Sequence, residues 1–350
     1  MSKAVKLADI ASALNVSTVT VSKALSDQKG VGNELRERIK KLAGEMGYVS
    51  PTEAKKQKEA KSYNIGVLLS ERYFDQQQSF YWQLYQTVAV KAVEKECFTM
   101  LEVLSVCAEQ ELEMPKLLRE RKADGLIILG LLKEDYMSMV EENIDIPFVC
   151  LDFYDRKQEW DCVISDNFYG MYRLTDYLFD LGHTDIAYVG TLLYSRSITD
   201  RYFGYAKALL EHGQEVRDEW VLDDRDLESG QRGEHFAFSL PERMPTAFVC
   251  NCDLTAGILI NQLEEAGYRV PEDISVVGFD DYIFPGICSK GITTYRVDME
   301  EMAGKAIESL TGKITGEDYR RGITIVEGRM VVRESAGDVR RRHHEENCHS

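Results

Sequence analysis

The chain lacks the marks of several large protein classes. No apolar run approaches the ~20 residues needed to cross a bilayer, and the opening MSKAVKLADI holds no apolar core of a signal peptide. Both absences predict a cytoplasmic protein with no membrane partner. Of eight cysteines only Cys250 and Cys252 stand close together, and none of the six histidines lies near that pair in sequence. A C-x-C pair inside a strand-like run does not have zinc-ligand spacing, so buried, reduced thiols and no metal site are expected. There is no G-x-S-x-G and no P-loop lysine, and the tail's His343 and His344, which could be read as a metal patch, are expected to belong to a solvated tail. His183 sits in a Gly-His-Thr turn, where capping or packing is the expected role rather than general base. With no nucleophile beside a base, the chain is expected to be neither an enzyme nor the holder of a cofactor.

What the chain does have is unevenly spread. Its 350 residues, 44% hydrophobic, suffice for two or three cores, and its net charge of −17 argues against an all-over nucleic-acid coat. Residues 1–62, however, carry twelve Lys/Arg against seven Asp/Glu, a net of +5, which leaves −22 on the remainder. A basic head on an acidic body predicts that the head meets phosphates and the body repels them.

Three short helical patterns open the chain. Ile10, Ala11 and Leu14 stripe a helix over 7–14, with Asn15 and Val16 as the turn. A second runs over 17–25 with Ser17 as its N-cap. Leu35, Ile39, Leu42 and Met46 stripe a third over 33–46, which Asn33 can cap and Gly47 can end. Residues 51–62, PTEAKKQKEAKS, have no large apolar side chain and read as a linker. From Tyr63 the pattern alternates short apolar runs with helix-length segments. The runs are IGVLL (65–69), FTMLEVL (98–104), GLIILG (125–130), PFVCLD (147–152), IAYVG (186–190), AFVCN (247–251) and ISVVGFD (274–280). Such runs mean parallel strands covered on both faces, and roughly ten of them exceed one comfortable sheet. The tail, GDVRRRHHEENCHS, has no apolar periodicity and is expected to be disordered.

Short hydroxyls at Ser17, Thr18, Thr20 and Ser22 would let the second helix lie close in a major groove and donate to phosphates. Lys23 can donate to guanine, Val19 can pack on a thymine methyl, and Thr18 can do either. The plainer alternatives are a core valine at 19 and a solvated lysine at 23. The stretch D-I-A-x-x-L-N-V-S-x-x-T-V-S-K-A-L, followed by R-x-x-I-x-x-x-A-x-x-x-G-Y, resembles the headpiece of the lactose-repressor family along its whole length. The resemblance puts Thr18, Val19 and Lys23 at base-reading positions. It also implies a hinge helix whose minor-groove leucine would fall at Gln57, between Lys55, Lys56 and Lys58. Glutamine cannot supply that apolar wedge, whereas Lys55 and Lys56 can still bind phosphates.

The body resembles the effector domain of the same family, related to periplasmic sugar-binding proteins. It does so through SFY (79–81), SDNFYG (165–170), LGHTDIAYVG (181–190), SxxxRxxGY (197–205), CNCDLTAG (250–257), VPEDISVVGFDD (270–281) and TTYRVDMEEMAGKAI (293–307). Open α/β sheets place ligands at the C-terminal ends of their strands. Asp152, Asn251, Asp253 and Asp280 stand at or near such ends, and Arg201 lies early in the helix after IAYVG. The family pattern implies that Arg201, Asn251 and Asp280 line the pocket. Carboxylate, amide and guanidinium suit vicinal hydroxyls or an ion pair, and Phe80 and Tyr81 could offer a wall for a ring. Alternatives remain open: Phe80 as core, Arg201 paired with Asp280 across the cleft, Asp281 bonding its turn, and Asp166 and Asn167 holding the crossover.

The expected fold is α/β: an all-α helix-turn-helix headpiece (1–50), a hinge linker (51–62) and an effector and dimerisation domain (63–336) of two interleaved doubly wound parallel-sheet lobes, then the tail (337–350). Lobe one is expected over about 63–162 and 292–322, and lobe two over about 163–291 and 323–336. The expected function is a DNA-binding transcription regulator, a repressor switched by a small molecule, a sugar. Its expected partners are a palindromic double-stranded operator, the effector and a second copy. Residues 337–350 contain no leucine, isoleucine or phenylalanine, so they offer no coiled-coil seam and a dimer rather than a tetramer is expected. A sugar-binding module without a DNA-binding role is the competing reading.

Overall fold

The computed structural model describes residues 6–26, 28–46, 48, 62–73, 79–155, 159–226, 239–282 and 286–339. The chain divides into two compact units, Met1–Ser62 and Tyr63–Ser350.

In the first unit, α1 (Leu7–Leu14), α2 (Thr18–Leu25) and α3 (Asn33–Glu45) close around buried Ile10, Ala11, Val21, Ala24, Ile39 and Ala43. Asp9 accepts the Lys6 N–H at 2.7 Å to start α1, and Asn15, at φ 51°, ends it in the left-handed conformation. Ser17 caps α2 as expected, its hydroxyl accepting the Thr20 N–H at 3.1 Å. Asn33 does not cap α3: Gly32 occupies that position without a side-chain bond, and Asn33 is already helical. Gly47, Lys55, Lys56, Gln57, the rest of the linker to residue 61 and tail residues 340–350 lie outside the described residues.

The second unit runs in order β1 (Asn64–Ser70), α4 (Phe80–Glu94), β2 (Phe98–Leu104), α5 (Val106–Gln110), α6 (Lys116–Arg119), β3 (Gly125–Leu129), α7 (Glu134–Asn143), β4 (Phe148–Leu151) and β5 (Cys162–Ser165). It continues through α8 (Asn167–Asp180), β6 (Ile186–Val189), α9 (Arg196–Glu211), β7 (Val221–Leu222), β8 (Ala247–Cys250), α10 (Asp253–Glu265), β9 (Ser275–Asp280) and β10 (Thr293–Arg296). It finishes with α11 (Met299–Thr315), β11 (Ile323–Val326) and β12 (Arg329–Val331). The strands make two six-stranded sheets, β11-β5-β4-β3-β1-β2 and β12-β10-β9-β8-β6-β7. All pairs are parallel except β10 with β12. The near-continuous apolar runs are buried on both faces: β3, β6 and β8 have no exposed residue.

The lobes are interleaved, but the crossings fall elsewhere than expected. β5 pairs with β4 and so extends the first sheet to Ser165. β10, assigned to lobe one from sequence, pairs with β9 in the second sheet. The terminal segment, assigned whole to lobe two, is divided, because β11 pairs with β5 and β12 with β10. Its turn is at Glu327-Gly328. A Cβ on Gly328 would stand 2.2 Å from the Arg296 carbonyl oxygen, so only glycine lets the chain pass there from one sheet to the other.

Candidate functional site

Two groups of candidate residues fall on separate units. On α2, burial of Val21 and Ala24 against α1 and α3 fixes which side chains look outward. Thr18, Ser22 and Lys23 are exposed, and Val19 is 60% exposed, which removes the core-valine alternative. Ser17 and Thr20 are partly committed to the cap, their hydroxyl oxygens 2.8 Å apart. The outward set that a base edge could meet is therefore Thr18, Val19, Ser22 and Lys23.

The second group gathers where the two sheets' strand ends face each other. From lobe one, Asp152 follows β4 in the left-handed conformation, φ 69°, and accepts the Tyr81 hydroxyl hydrogen at 2.9 Å. Tyr81 packs against Tyr73, ring centroids 4.5 Å apart, and Phe80 meets Tyr81 edge-on at 5.3 Å. Both tyrosines sit on Gly130, where a Cβ would lie 3.0 Å from each ring. Phe80 is half-buried against the core, so it supports the tyrosines more than it forms a free wall. From lobe two, Arg201 donates through Nε to Asn167 Oδ1 at 2.8 Å and through Nη1 to the Asn251 carbonyl at 2.6 Å. Its guanidinium lies 3.9 Å from the centre of the Phe279 ring. Burial raises the Asp152 carboxyl above its ordinary range, against the pull of the Arg201 charge and the Tyr81 bond. The lobes touch directly where Tyr154, just past β4, donates to Asp200 of α9 at 3.0 Å. The Arg196 guanidinium sits 5.3 Å over the Tyr154 ring.

Other expected site residues divide. The Asn251 amide points inward, donating to Val189 O at 3.0 Å and to Asp224 Oδ2 at 2.9 Å, so this residue serves the cleft through its carbonyl. Asp253, at the start of α10, is buried with no well-formed hydrogen bond to either oxygen among the described residues. Burial, then the charge of Asp280, push its carboxyl well above the usual range, against a smaller pull from Thr294. Asp280 has φ 100°, a costly conformation for a side chain, and accepts the Tyr282 N–H at 2.9 Å. Asp281 is held by Arg296 at 2.5 Å and Arg333 at 2.6 Å. Asp166 caps α8, accepting the Tyr169 N–H at 3.0 Å, and Asn167 accepts from Arg201. The hydrogen-bonding partners of Arg201 are Asn167 and Asn251 rather than Asp280. His183 bonds Thr246 Oγ1 at 2.9 Å and the Gly337 carbonyl at 3.1 Å, a packing role. Sequence reasoning passed over Tyr73, Tyr154, Asp200, Tyr194, Asp224 and Arg225. Among the described residues no group of three His, Cys, Asp or Glu could hold a metal, and no helix is long and apolar enough to cross a membrane.

A three-helix unit and, in the same chain, a pair of interleaved sheets with polar groups at facing strand ends together define a class of ligand-responsive DNA-binding proteins. The family described as "Bacterial regulatory proteins, lacI family" matches residues 6–50, and that described as "Periplasmic binding protein-like domain" matches residues 175–336. The chain is 26% identical over 332 residues to the HTH-type transcriptional repressor PurR of Vibrio campbellii, covering 93% of this chain and 96% of the relative. It is 27% identical over 338 residues to PurR of Aliivibrio fischeri, covering 94% and 98%. Among solved structures, the complex of transcriptional regulator CelR with cellobiose has a TM-score of 0.65 at 23% identity, covering 95% of this chain and all of that one. The lac repressor dimer bound to operator and the anti-inducer ONPF has a TM-score of 0.63 at 23% identity, covering 96% of this chain and all of that one. With both domains matched and the relatives aligned along nearly their full length, the chain is a LacI-type transcriptional regulator.

Proposed function

We propose that this protein is a transcriptional repressor that binds a palindromic operator as a homodimer and is switched by an uncharged polyhydroxylated molecule, a sugar, held between the two lobes. The observation that carries the reading is Asp152 on one lobe facing Arg201 on the other, each fixed by its own lobe's hydrogen bonds. A carboxylate acceptor opposite a guanidinium donor, with tyrosine rings beside them, suits neighbouring hydroxyls on a flat ring. Binding across the two lobes favours one inter-lobe geometry, and by linkage that geometry sets operator affinity. Support for the dimer comes from the solved lac repressor, described as a dimer on its operator. Acting on chromosomal DNA, such a protein works in the cytoplasm.

A gel shift on the DNA upstream of the protein's own gene tests the reading, with a panel of neutral mono- and disaccharides as effectors. Lys23→Ala should weaken specific binding by about 1–3 kcal/mol and random-sequence binding much less. Arg201→Ala should bind operator but no longer respond to the sugar that shifts wild type. Equal losses on operator and random DNA for Lys23→Ala, or an undiminished response in Arg201→Ala, would remove those residues from their sites.

A further inference from the structure

Lobe one holds two thiols in register inside its sheet, away from the strand ends that form the cleft. Cys150 on β4 and Cys162 on β5 are direct partners across this parallel pair, so both side chains leave the sheet on one face. They share that apolar layer with Tyr136, Phe153 and Trp160, and both are buried. The Cys162 thiol donates to the Trp160 carbonyl at 3.4 Å, and the Cys150 thiol donates in turn to Cys162. That second bond holds the Cys162 thiol below its ordinary range, whereas burial pushes Cys150 up. Cys162 is therefore the better attacking sulfur and Cys150 the one placed to resolve it. β4 and β5 register only through Cys150–Cys162 and Leu151–Val163, the shortest joint of the first sheet. Beyond that joint β4 runs on to Asp152 and β5 to Asn167, which bond Tyr81 and Arg201.

We propose that Cys150 and Cys162 are an oxidation site for hydrogen peroxide, closing to a disulfide that joins β4 to β5 and changes the protein's affinity for DNA. Registered residues on neighbouring strands stand about 4.8 Å apart, within the roughly 4.4–6.8 Å between Cα atoms that a disulfide spans. The Cys162 thiolate attacks one oxygen of the peroxide, the O–O bond breaks, and sulfenic acid and hydroxide result. The Cys150 sulfur then displaces the sulfenic hydroxyl, which leaves with the Cys150 proton as water. The hydroxide takes up the proton released by Cys162, so two thiols and one peroxide give one disulfide and two waters. Burial selects the oxidant: peroxide is small and uncharged, whereas glutathione disulfide is large and charged and does not enter an apolar layer. The new bond also moves the joint. A disulfide holds its Cβ atoms about 3.5–4.5 Å apart, closer than the strand spacing, so it draws β4 and β5 together behind Asp152 and Asn167.

Peptide mapping of the full-length protein tests the site. The reduced protein is treated with hydrogen peroxide, capped with N-ethylmaleimide in denaturant and digested with trypsin, which cuts at Arg156 and Lys157 between the two cysteines. The expected product is a pair of peptides linked through Cys150 and Cys162, separated again by dithiothreitol. DNA affinity is read by fluorescence anisotropy on a duplex selected from a random pool by the reduced protein. It should change by about fivefold or more on oxidation, the lower end of couplings between distant sites. Through a peroxide titration of wild type the change should track the linked fraction, a readout that needs no variant to fold. Cys150→Ala and Cys162→Ala should each remove both the linked peptides and the change. Both cysteines recovered capped with maleimide, or either joined to a different cysteine, overturns the site. Equal yield with glutathione disulfide overturns the selection of oxidant by burial. A linked pair with unchanged DNA affinity, or a change that persists in both variants, overturns the control of DNA binding.

Discussion

At the residue scale, Asp253 is a carboxyl buried at the start of α10. It is buried against Gly278, where a Cβ would stand 2.0 Å from Oδ1, and among the described residues its oxygens have no well-formed hydrogen bond beyond a weak pull from Thr294. Its carboxyl therefore holds a proton to higher pH in the folded chain than in the unfolded one. The sign follows from linkage: the folded state binds more protons, so the contribution is fully present below the ordinary carboxyl range and is lost as pH rises through the folded value. Asp152 shifts the same way and is common to both proteins in a comparison with Asp253→Asn, which has no proton to lose. Denaturant unfolding from about pH 4 to about pH 8 should show wild type losing stability relative to the variant as pH rises. Parallel curves would mean that Asp253 is ionised throughout and satisfied by groups not seen to bond it.

At the scale of elements, the pairing of α8 with α9 positions the lobe-two side of the cleft, because Asn167 begins one helix and Arg201 lies in the other. The helices approach closely at Gly204, where a Cβ would stand 2.2 Å from the Phe168 carbonyl oxygen. That neighbour is backbone and cannot swing aside. Gly204→Ala should therefore destabilise by about 1–3 kcal/mol through overpacking, measured by denaturant midpoint. A change below about 0.5 kcal/mol, the scale of an ordinary surface substitution, would mean that the helices separate without cost. The same scale shows what the sequence discloses. The three headpiece helices and the long apolar strands were legible because burial imposes a period on them. β7, two residues long, gave no periodic signal, and with it Asp224 and Arg225 were missed although they also follow a strand end. Asn251 was legible as a strand-end residue, but the direction of its amide is decided by Asp224, 27 residues distant in sequence. The split of β11 from β12 hinges on the space at one glycine, which composition does not reveal.

For the whole molecule, the proposed homodimer raises the question of how an acidic body would pair with its copy. Residues 63–350 carry a net charge of −22, so two such bodies repel at low salt. The proposed dimer would then draw its interface from apolar surface. Lobe one has a candidate in edge strand β2 and helix α4, where Phe98 is 64% and Val93 66% exposed, with Val90 and Val103 also bare. Edge strands and apolar patches of this kind are usually covered, and a two-fold dimer would cover the same patch on both copies. Phe98→Asp should place a charge against its own copy in that interface. Light scattering should then move from dimer mass toward monomer mass. Affinity for a palindromic operator should fall, because two headpieces no longer bind as one body, while affinity for an isolated half-site should hold. Salt separates the contributions further: added salt should strengthen the dimer by screening the acidic bodies and weaken headpiece binding by competing for phosphates. A dimer mass that persists in Phe98→Asp, or equal losses on palindrome and half-site, would move the interface elsewhere on the molecule.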